Sequence, residues 1–423
     1  MSIPLAPPSG MRDLLPPEAA RRARLAKSLT RHFGRWGYAL VTTPPFEHAE
    51  VIERGLDTLD RRDLLRFVEP DSGEVALLRP DITPQIARIV ATRLSERPPP
   101  FRLCYAGSLI RQRRGRARRQ RQSMQAGVEL IGVPSIDADV EAIELAAGSL
   151  GAAGLDGFSV ELSVVSLARA ALAEVPESAR AGVEEALIQK DGAELDRQLT
   201  RAGVAKAVSR RLRGVAELYG DVNAVLKRAR PLFVRPEEKA GLARLGKIVR
   251  RLDKRGLGAR LSVDLGEVRG ASYYTGVSFR LLAPGPGEPV GAGGRYDGLL
   301  GRFGMPAPAT GFGIDLGHLE WALSAAGAAV QGRTEPRVVV AGGSAARREQ
   351  IAVRLRRRNV AAAVLDGGKS AALDYARGWE YDAAVLLRGD GAMVVRVDGE
   401  QQNLPDKTDR AFVRWVLGHG SKS

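Results

Sequence analysis

The sequence has a single cysteine, Cys104, and only four histidines, His32, His48, His318 and His419, among its 423 residues. A lone thiol excludes an internal disulfide framework, and four scattered imidazoles write no clustered zinc spacing. No metal and no cofactor is therefore expected. Hydrophobic residues make up 44% of the chain, yet no run of about 18 apolar residues occurs, so no membrane association is expected. The opening Met1-Ser-Ile-Pro-Leu-Ala-Pro-Pro has no basic start followed by an apolar stretch, and the expectation is a cytoplasmic protein. Lysine is scarce, 10 against 54 arginines, and with 49 acidic residues the net charge is +15. That bias fits phosphate recognition, but abundant alanine and glycine give the same bias from an arginine-rich coding composition, so charge alone assigns no nucleic acid.

The length accommodates two or three domains with a sizeable core. After Pro16-Pro17-Glu18, Leu25, Leu29 and Trp36 recur near a 3.6-residue period until Gly37, which predicts a helix. Tyr38 to Thr43 reads as a strand stopped by Pro44-Pro45, Val75 to Pro80 as a second, and Pro84 to Arg97 as a helix. Phe101 to Ile110 and Met124 to Ile131 predict a long antiparallel hairpin around the polar loop Arg111 to Gln122. Ile136, Val140, Ile143, Ala147 and Leu150 step by four and three, the spacing of a helix packed on a sheet. Residues from about Ser166 to Arg255 are helical in pattern and read as an insertion between strand-like segments, Phe158 to Val164 and Ala259 to Val263. Strands are expected again at Gly276 to Leu282 and Gly311 to Ile314. Beyond a linker at Gly327 to Pro336, β-α-β-α order predicts a small α/β domain over 336–420, separate from a core over 1–326.

Two segments stand out chemically. Gly291-Ala-Gly-Gly-Arg-Tyr-Asp-Gly-Leu-Leu lets backbone approach a ligand, but lacks the lysine and serine of a phosphate loop and reads by itself as a tight turn. Arg111-Gln-Arg-Arg-Gly-Arg-Ala-Arg-Arg-Gln-Arg places seven arginines in eleven residues. Such charge binds an anion, faces an acidic partner or is solvated, because a dry unpaired guanidinium is too costly to bury.

In order and spacing, Gly37-Tyr-Ala-Leu-Val-Thr-Thr-Pro-Pro-Phe-Glu, Leu78-Arg-Pro-Asp-Ile-Thr-Pro-Gln, Phe101 through Gly132, Arg269-Gly-Ala-Ser-Tyr-Tyr-Thr-Gly and Gly293-Gly-Arg-Tyr-Asp-Gly-Leu-Leu resemble the class II histidyl-tRNA synthetase core over about 320 residues. The resemblance implies an α+β fold: a class II aminoacyl-tRNA synthetase-like antiparallel sheet of six or more strands flanked by helices, with a helical insertion and a small C-terminal α/β domain like a reduced anticodon-binding module. It also implies a homodimer formed through the core near Pro44. The departures bear on activity. Where the family's second motif carries glutamate two positions after its loop arginine, this chain has Arg113 after Arg111; the stacking phenylalanine and the histidine are replaced by Ser123 and Met124. Gly317 and His318 stand where the third motif ends in glutamate and the phosphate-gripping arginine. The ATP anchors are gone, and no catalytic residue is expected.

The amino-acid half is kept. The resemblance places Asp81, Thr83, Arg111, Gln125, Glu129, Arg269, Tyr273 and Tyr274 around a histidine ligand, with Asp81 where the family uses glutamate for the α-amino group. Carboxylates for the ammonium and imidazole, an arginine for the carboxylate and rings for the flat face make chemical sense as a set. With the Leu78–Gln85 segment, this pattern resembles the regulatory-subunit family of ATP phosphoribosyltransferase, which acts in the first step of histidine biosynthesis. That resemblance implies a non-catalytic partner of the short-form catalytic subunit, a higher hetero-oligomer, and histidine as feedback effector, with nucleic acid not expected. The alternatives are an active histidyl-tRNA synthetase, against which the substitutions at Ser123, Met124, Gly317 and His318 stand, and a tRNA-binding synthetase paralogue, favoured by the arginine loop.

Overall fold

A computed structural model describes residues 5–55, 64–111, 120–268, 273–328, 335–389 and 391–405. The chain divides into two compact units, residues 1–14 with 21–330, and residues 15–20 with 331–423.

In chain order come α1 (Glu18–Arg35), which belongs to the first unit from residue 21 on, and then, in that unit, β1 (Ala39–Leu40), β2 (Phe46–His48), α2 (Ala49–Gly55), β3 (Arg66–Val68), β4 (Val75–Leu78) and α3 (Thr83–Arg93). The hairpin β5 (Phe101–Ile110) and β6 (Gln122–Ile131) follows, then α4 (Ile136–Ala152) and β7 (Ser159–Val164). The expected insertion is helical: α5 (Val165–Leu172), α6 (Glu177–Gln189), α7 (Gly192–Arg201), α8 (Lys206–Ala216), the two-residue β8 (Tyr219–Gly220), α9 (Val222–Ala229) and α10 (Pro236–Lys254). The core resumes with β9 (Leu261–Asp264), β10 (Val277–Leu282), β11 (Gly291–Arg295), β12 (Ala309–Asp315) and α11 (Leu316–Ala325).

Among the described residues the main sheet runs β1-β5-β6-β12-β11-β10-β7-β9-β8. Its middle six strands, β5 to β7 in that order, are antiparallel throughout, as expected, whereas β1 on β5 and β9 on β7 are parallel, so the whole sheet is mixed. Side chains alternate across the sheet with period two. Ala126, Val128, Leu130, Phe312 and Ile314 turn to one face, which α1 and α4 cover with Leu25, Leu29, Phe33, Ile143 and Leu150. Tyr105, Ile131, Tyr296 and Ala309 turn to the other, where α3 packs Ile86 and Val90. Fully burying each such aliphatic side chain contributes about 1.5–3 kcal/mol.

Two sequence expectations need correction. Gly291–Arg295 is not a turn but a central strand, paired with β10 and β12. Glycine is forced there by crowding: a Cβ on Gly294 would sit 2.9 Å from Ser278 Cα, and one on Gly293 would strike Gly311 O and Phe312 Cβ. The strand read over Tyr38 to Thr43 is only two residues long; after Val41 N–H donates to Cys104 O at 2.8 Å, Thr43 leaves the ladder and its carbonyl and hydroxyl accept from Arg79 at 2.9 and 2.7 Å. The helix after Pro84 also stops early, at Arg93 rather than Arg97. A small separate sheet, β2-β4-β3, was not anticipated.

The second unit holds β13 (Arg337–Gly342), α12 (Ala345–Arg356), β14 (Ala361–Val364), α13 (Lys369–Gly378), β15 (Ala383–Arg388), β16 (Gly391–Arg396) and β17 (Gln401–Pro405). Its sheet runs β14-β13-β15-β16-β17, with the first three strands parallel and the last two added antiparallel.

Candidate functional site

Four elements bring the expected pocket residues together on the face of the sheet opposite α4. Gln125 and Glu129 sit four positions apart in β6, each two from Gly127, so both project to this face. Glu129 is 1% exposed. Its Oε1 accepts the Thr83 hydroxyl at 2.7 Å, and its Oε2 accepts the Tyr296 hydroxyl. Thr83 opens α3, and its amide donates to Asp81 Oδ1 at 3.1 Å; Asp81 Oδ2 accepts the Tyr273 hydroxyl at 3.1 Å. Tyr105 OH donates to Gln125 Oε1 at 3.1 Å. Tyr273 meets Tyr274 and Tyr296 edge to face, with centroids 5.3 and 5.5 Å apart.

The glycines of the neighbouring strands leave room for these side chains. A Cβ on Gly311 would fall on Glu129 Oε2, one on Gly313 on Gln125 Nε2, and one on Gly127 within 2.5 Å of Tyr105 OH. The result is a cluster of two carboxyl groups, Asp81 and Glu129, bordered by Tyr273 and Tyr296.

Its electrostatics are unusual. Among the described residues neither Asp81 nor Glu129 has a basic partner. Burial pushes the Glu129 carboxyl up to about 8, the hydroxyls of Tyr296 and Thr83 working against that rise and the charge of Asp81 adding to it. Burial also raises Tyr273 and Tyr296 well above 10, so both remain hydroxyl donors. Two acids fed only by hydroxyls and an amide suit a ligand that brings its own positive charge and N–H donors.

Asp81, Thr83, Gln125, Glu129, Tyr273 and Tyr274 thus share one place, with Tyr274 also accepting Arg169 Nη1 at its carbonyl, 3.3 Å away. Arg111 makes a different contact: its Nε donates to Pro80 O at 2.5 Å, bracing the residue before Asp81. Arg269 and residues 112–119 of the arginine loop lie outside the described residues; the hairpin base below them closes through Arg111 N to Arg121 O at 2.9 Å. Tyr105 and Tyr296 were missed as site residues. Tyr296 belongs to the glycine-rich motif Gly293 to Leu300, and the period-two alternation of Phe101, Leu103 and Tyr105 is the sequence signal for the other.

At the position of the third synthetase motif, Asp315 caps α11: its Oδ1 accepts the amides of Gly317 at 2.8 Å and His318 at 3.0 Å. The His318 ring lies 2.9 Å from Pro289 O by its Nδ1. The helix start is occupied by the chain's own carboxylate, and the side chain in the arginine position is engaged with a loop.

This sheet and pocket define a class II, histidyl-tRNA synthetase-like protein, and the family model for histidyl-tRNA synthetase matches residues 10–319. An ATP phosphoribosyltransferase regulatory subunit from Anaeromyxobacter dehalogenans is 43% identical over 81% of this chain and 98% of its own length. One from Moorella thermoacetica is 40% identical over 86% and 93%. A crystal structure of an ATP phosphoribosyltransferase regulatory subunit/histidyl-tRNA synthetase from Bacillus halodurans superimposes with a TM-score of 0.78 at 30% identity, covering 92% of this chain and all of that one. The chain belongs to the family of ATP phosphoribosyltransferase regulatory subunits. The expected fold class and the non-catalytic, regulatory role are thereby borne out, and the synthetase alternative is not favoured.

Proposed function

We propose that the pocket over β6 binds free histidine as a feedback effector, and that the chain carries out its regulatory role in complex with a short-form catalytic subunit. The observation that carries this reading is the pair of carboxylates, Asp81 and Glu129, held in place by Thr83, Tyr273 and Tyr296 yet without a basic partner among the described residues. An α-ammonium and an imidazole N–H supply what they lack, and Arg269 is assigned to the ligand's carboxylate. Feedback then requires histidine to favour one quaternary state over another by about 1–3 kcal/mol. Calorimetry on the purified chain tests this. Histidine binding that Glu129→Ala weakens about tenfold or more is expected, because an imidazole N–H left unpaired in a buried site costs about 1–3 kcal/mol. Equal binding by both proteins would place the effector elsewhere.

The homodimer is assigned to the small sheet next to Pro44. Phe46 is 42% exposed and stacks edge to face at 5.3 Å on Phe67, 36% exposed, on one face of this sheet. These apolar side chains suit a second copy of the same surface. Residues 336–420 are read as the reduced anticodon-binding module.

A further inference from the structure

Arg295 is 2% exposed at the end of β11, next to Tyr296, and the two side chains leave the strand on opposite faces. Tyr296 reaches Glu129 in the pocket. Arg295 points the other way, its Nε donating to Asp139 Oδ1 at 2.6 Å and its Nη atoms to Val133 O, Ser135 O and Asp297 Oδ1 at 3.2, 3.1 and 3.0 Å. The backbone of Arg295 holds a second part of the pocket: its carbonyl accepts the Thr275 amide at 2.8 Å, directly after Tyr273 and Tyr274. Asp139, on α4 and 2% exposed, has its other oxygen taken by the helical insertion, through Arg244 of α10, whose Nη2 and Nε lie 2.6 and 3.1 Å from Oδ2. One buried carboxylate therefore serves two arginines, one from the insertion and one from the strand that carries a pocket tyrosine.

We propose that the helical insertion sets the geometry and affinity of the pocket through the ion-pair chain Arg244–Asp139–Arg295, with Arg295 the positioning residue for Tyr296 and for the Tyr273–Thr275 segment. The physical reason is the cost of an unpaired buried charge. If Arg244 withdraws, Asp139 Oδ2 loses both of its donors, and the Arg295 fork is the remaining cation that can divide itself between the two oxygens. Because Arg295 lies on β11, any turn of its guanidinium toward Oδ2 is felt at Tyr296 Oη and at the Thr275 amide. A partner or ligand that draws Arg244 outward would loosen the hydroxyl that Glu129 accepts. The effector role assigned to the pocket is needed only for the second of the two tests below.

The first test is ligand-free hydrogen exchange by mass spectrometry on the full chain, comparing the parent with Arg244→Met. Arg244 is 31% exposed, so its loss is milder than that of Arg295 or Asp139. Exchange about tenfold faster in peptides covering 273–277 and 293–300, with 337–342 unchanged, is expected. Arg244→Lys, which keeps the charge but loses the fork, should fall between the two and also covers the case of a poorly folding methionine variant. Unchanged exchange at 293–300 in both variants overturns the proposal. The second test is histidine calorimetry in a double-mutant cycle. Arg244→Met should weaken binding about fivefold in the parent and clearly less in a Tyr296→Phe background, because part of the effect passes through that hydroxyl. Additive losses overturn the link. If the parent binds no histidine while the exchange result holds, the effector reading fails and the link stands.

Discussion

Glu129 combines burial, two hydroxyl donors and the absence of a cation among the described residues, and this sets a pH dependence with a definite sign. In the unfolded chain its carboxyl ionises near 4.5, but in the empty pocket near 8. Between those values the folded state holds a proton that the unfolded state has lost, so stability falls as pH rises from about 4.5 toward 8 and levels off above it. Glu129→Gln removes this dependence. Thermal melts without ligand should show the variant gaining on the parent at pH 8 and gaining less or nothing at pH 5; a gain equal at both pH values would contradict the raised carboxyl. At this scale the sequence supplies residue types, and the fold hydrogen-bonds Tyr273 to Asp81, Thr83 to Glu129 and Tyr105 to Gln125. The sequence was silent about Tyr105 and Tyr296 as ligand-side groups, because their hydroxyls meet Gln125 and Glu129 only once β5, β6 and β11 are in register.

Elements rich in glycine were the least legible. Glycine is depleted in strands, so Gly291–Arg295 read as a turn, whereas its glycines are there because flanking strands approach too closely for a side chain. By contrast the hairpin β5–β6 and helix α4 carry strong apolar periodicity and fell close to where it placed them. The glycines of β12 yield a prediction at the same scale. Gly311→Ala puts a methyl group where Glu129 Oε2 lies, so the carboxylate must leave its hydroxyl partners. Calorimetry should show histidine binding lost, with a melting temperature lowered by overpacking worth about 1–3 kcal/mol. Full retention of binding would show that the Glu129 site is not where the ligand sits. For the arginine loop, replacing Arg116, Arg118 and Arg119 with serine should slow assembly with the catalytic subunit at low salt and have little effect at physiological ionic strength, as steering charges do. Stopped-flow association rates that match the parent at every salt concentration would make this loop a solvated charged surface.

At the scale of the whole molecule, a synthetase-like core carries other residues at two of the family's ATP-site motifs, Ser123 and Met124 in the second and Gly317 and His318 in the third. Asp315 occupies the start of α11, and His318 stands in the arginine position. Electrostatic stabilisation of a reacting triphosphate needs cations placed before the reaction, and at the third motif's arginine position this chain has His318. Histidine-dependent exchange of pyrophosphate into ATP should therefore be at background; exchange above it would restore the synthetase reading. The synthetase-like core is legible because five motifs keep their order along the chain, and the regulatory-subunit family because Ser123, Met124, Gly317 and His318 replace the ATP anchors while the Leu78–Gln85 segment is kept. The two arginines that meet at Asp139 come from positions 244 and 295, in an insertion helix and a core strand, and no local pattern joins them.

In the function proposed above, this chain confers histidine control on a catalytic partner through the Glu129 site. The most direct measurement is the ATP phosphoribosyltransferase activity of a short-form catalytic subunit reconstituted with the parent or with Glu129→Ala, each titrated with histidine. The account predicts that both chains support activity, that histidine inhibits the parent complex, and that the variant complex needs at least about tenfold more histidine for the same inhibition. Identical inhibition curves for the two complexes, or a catalytic subunit whose activity neither chain alters, would contradict it.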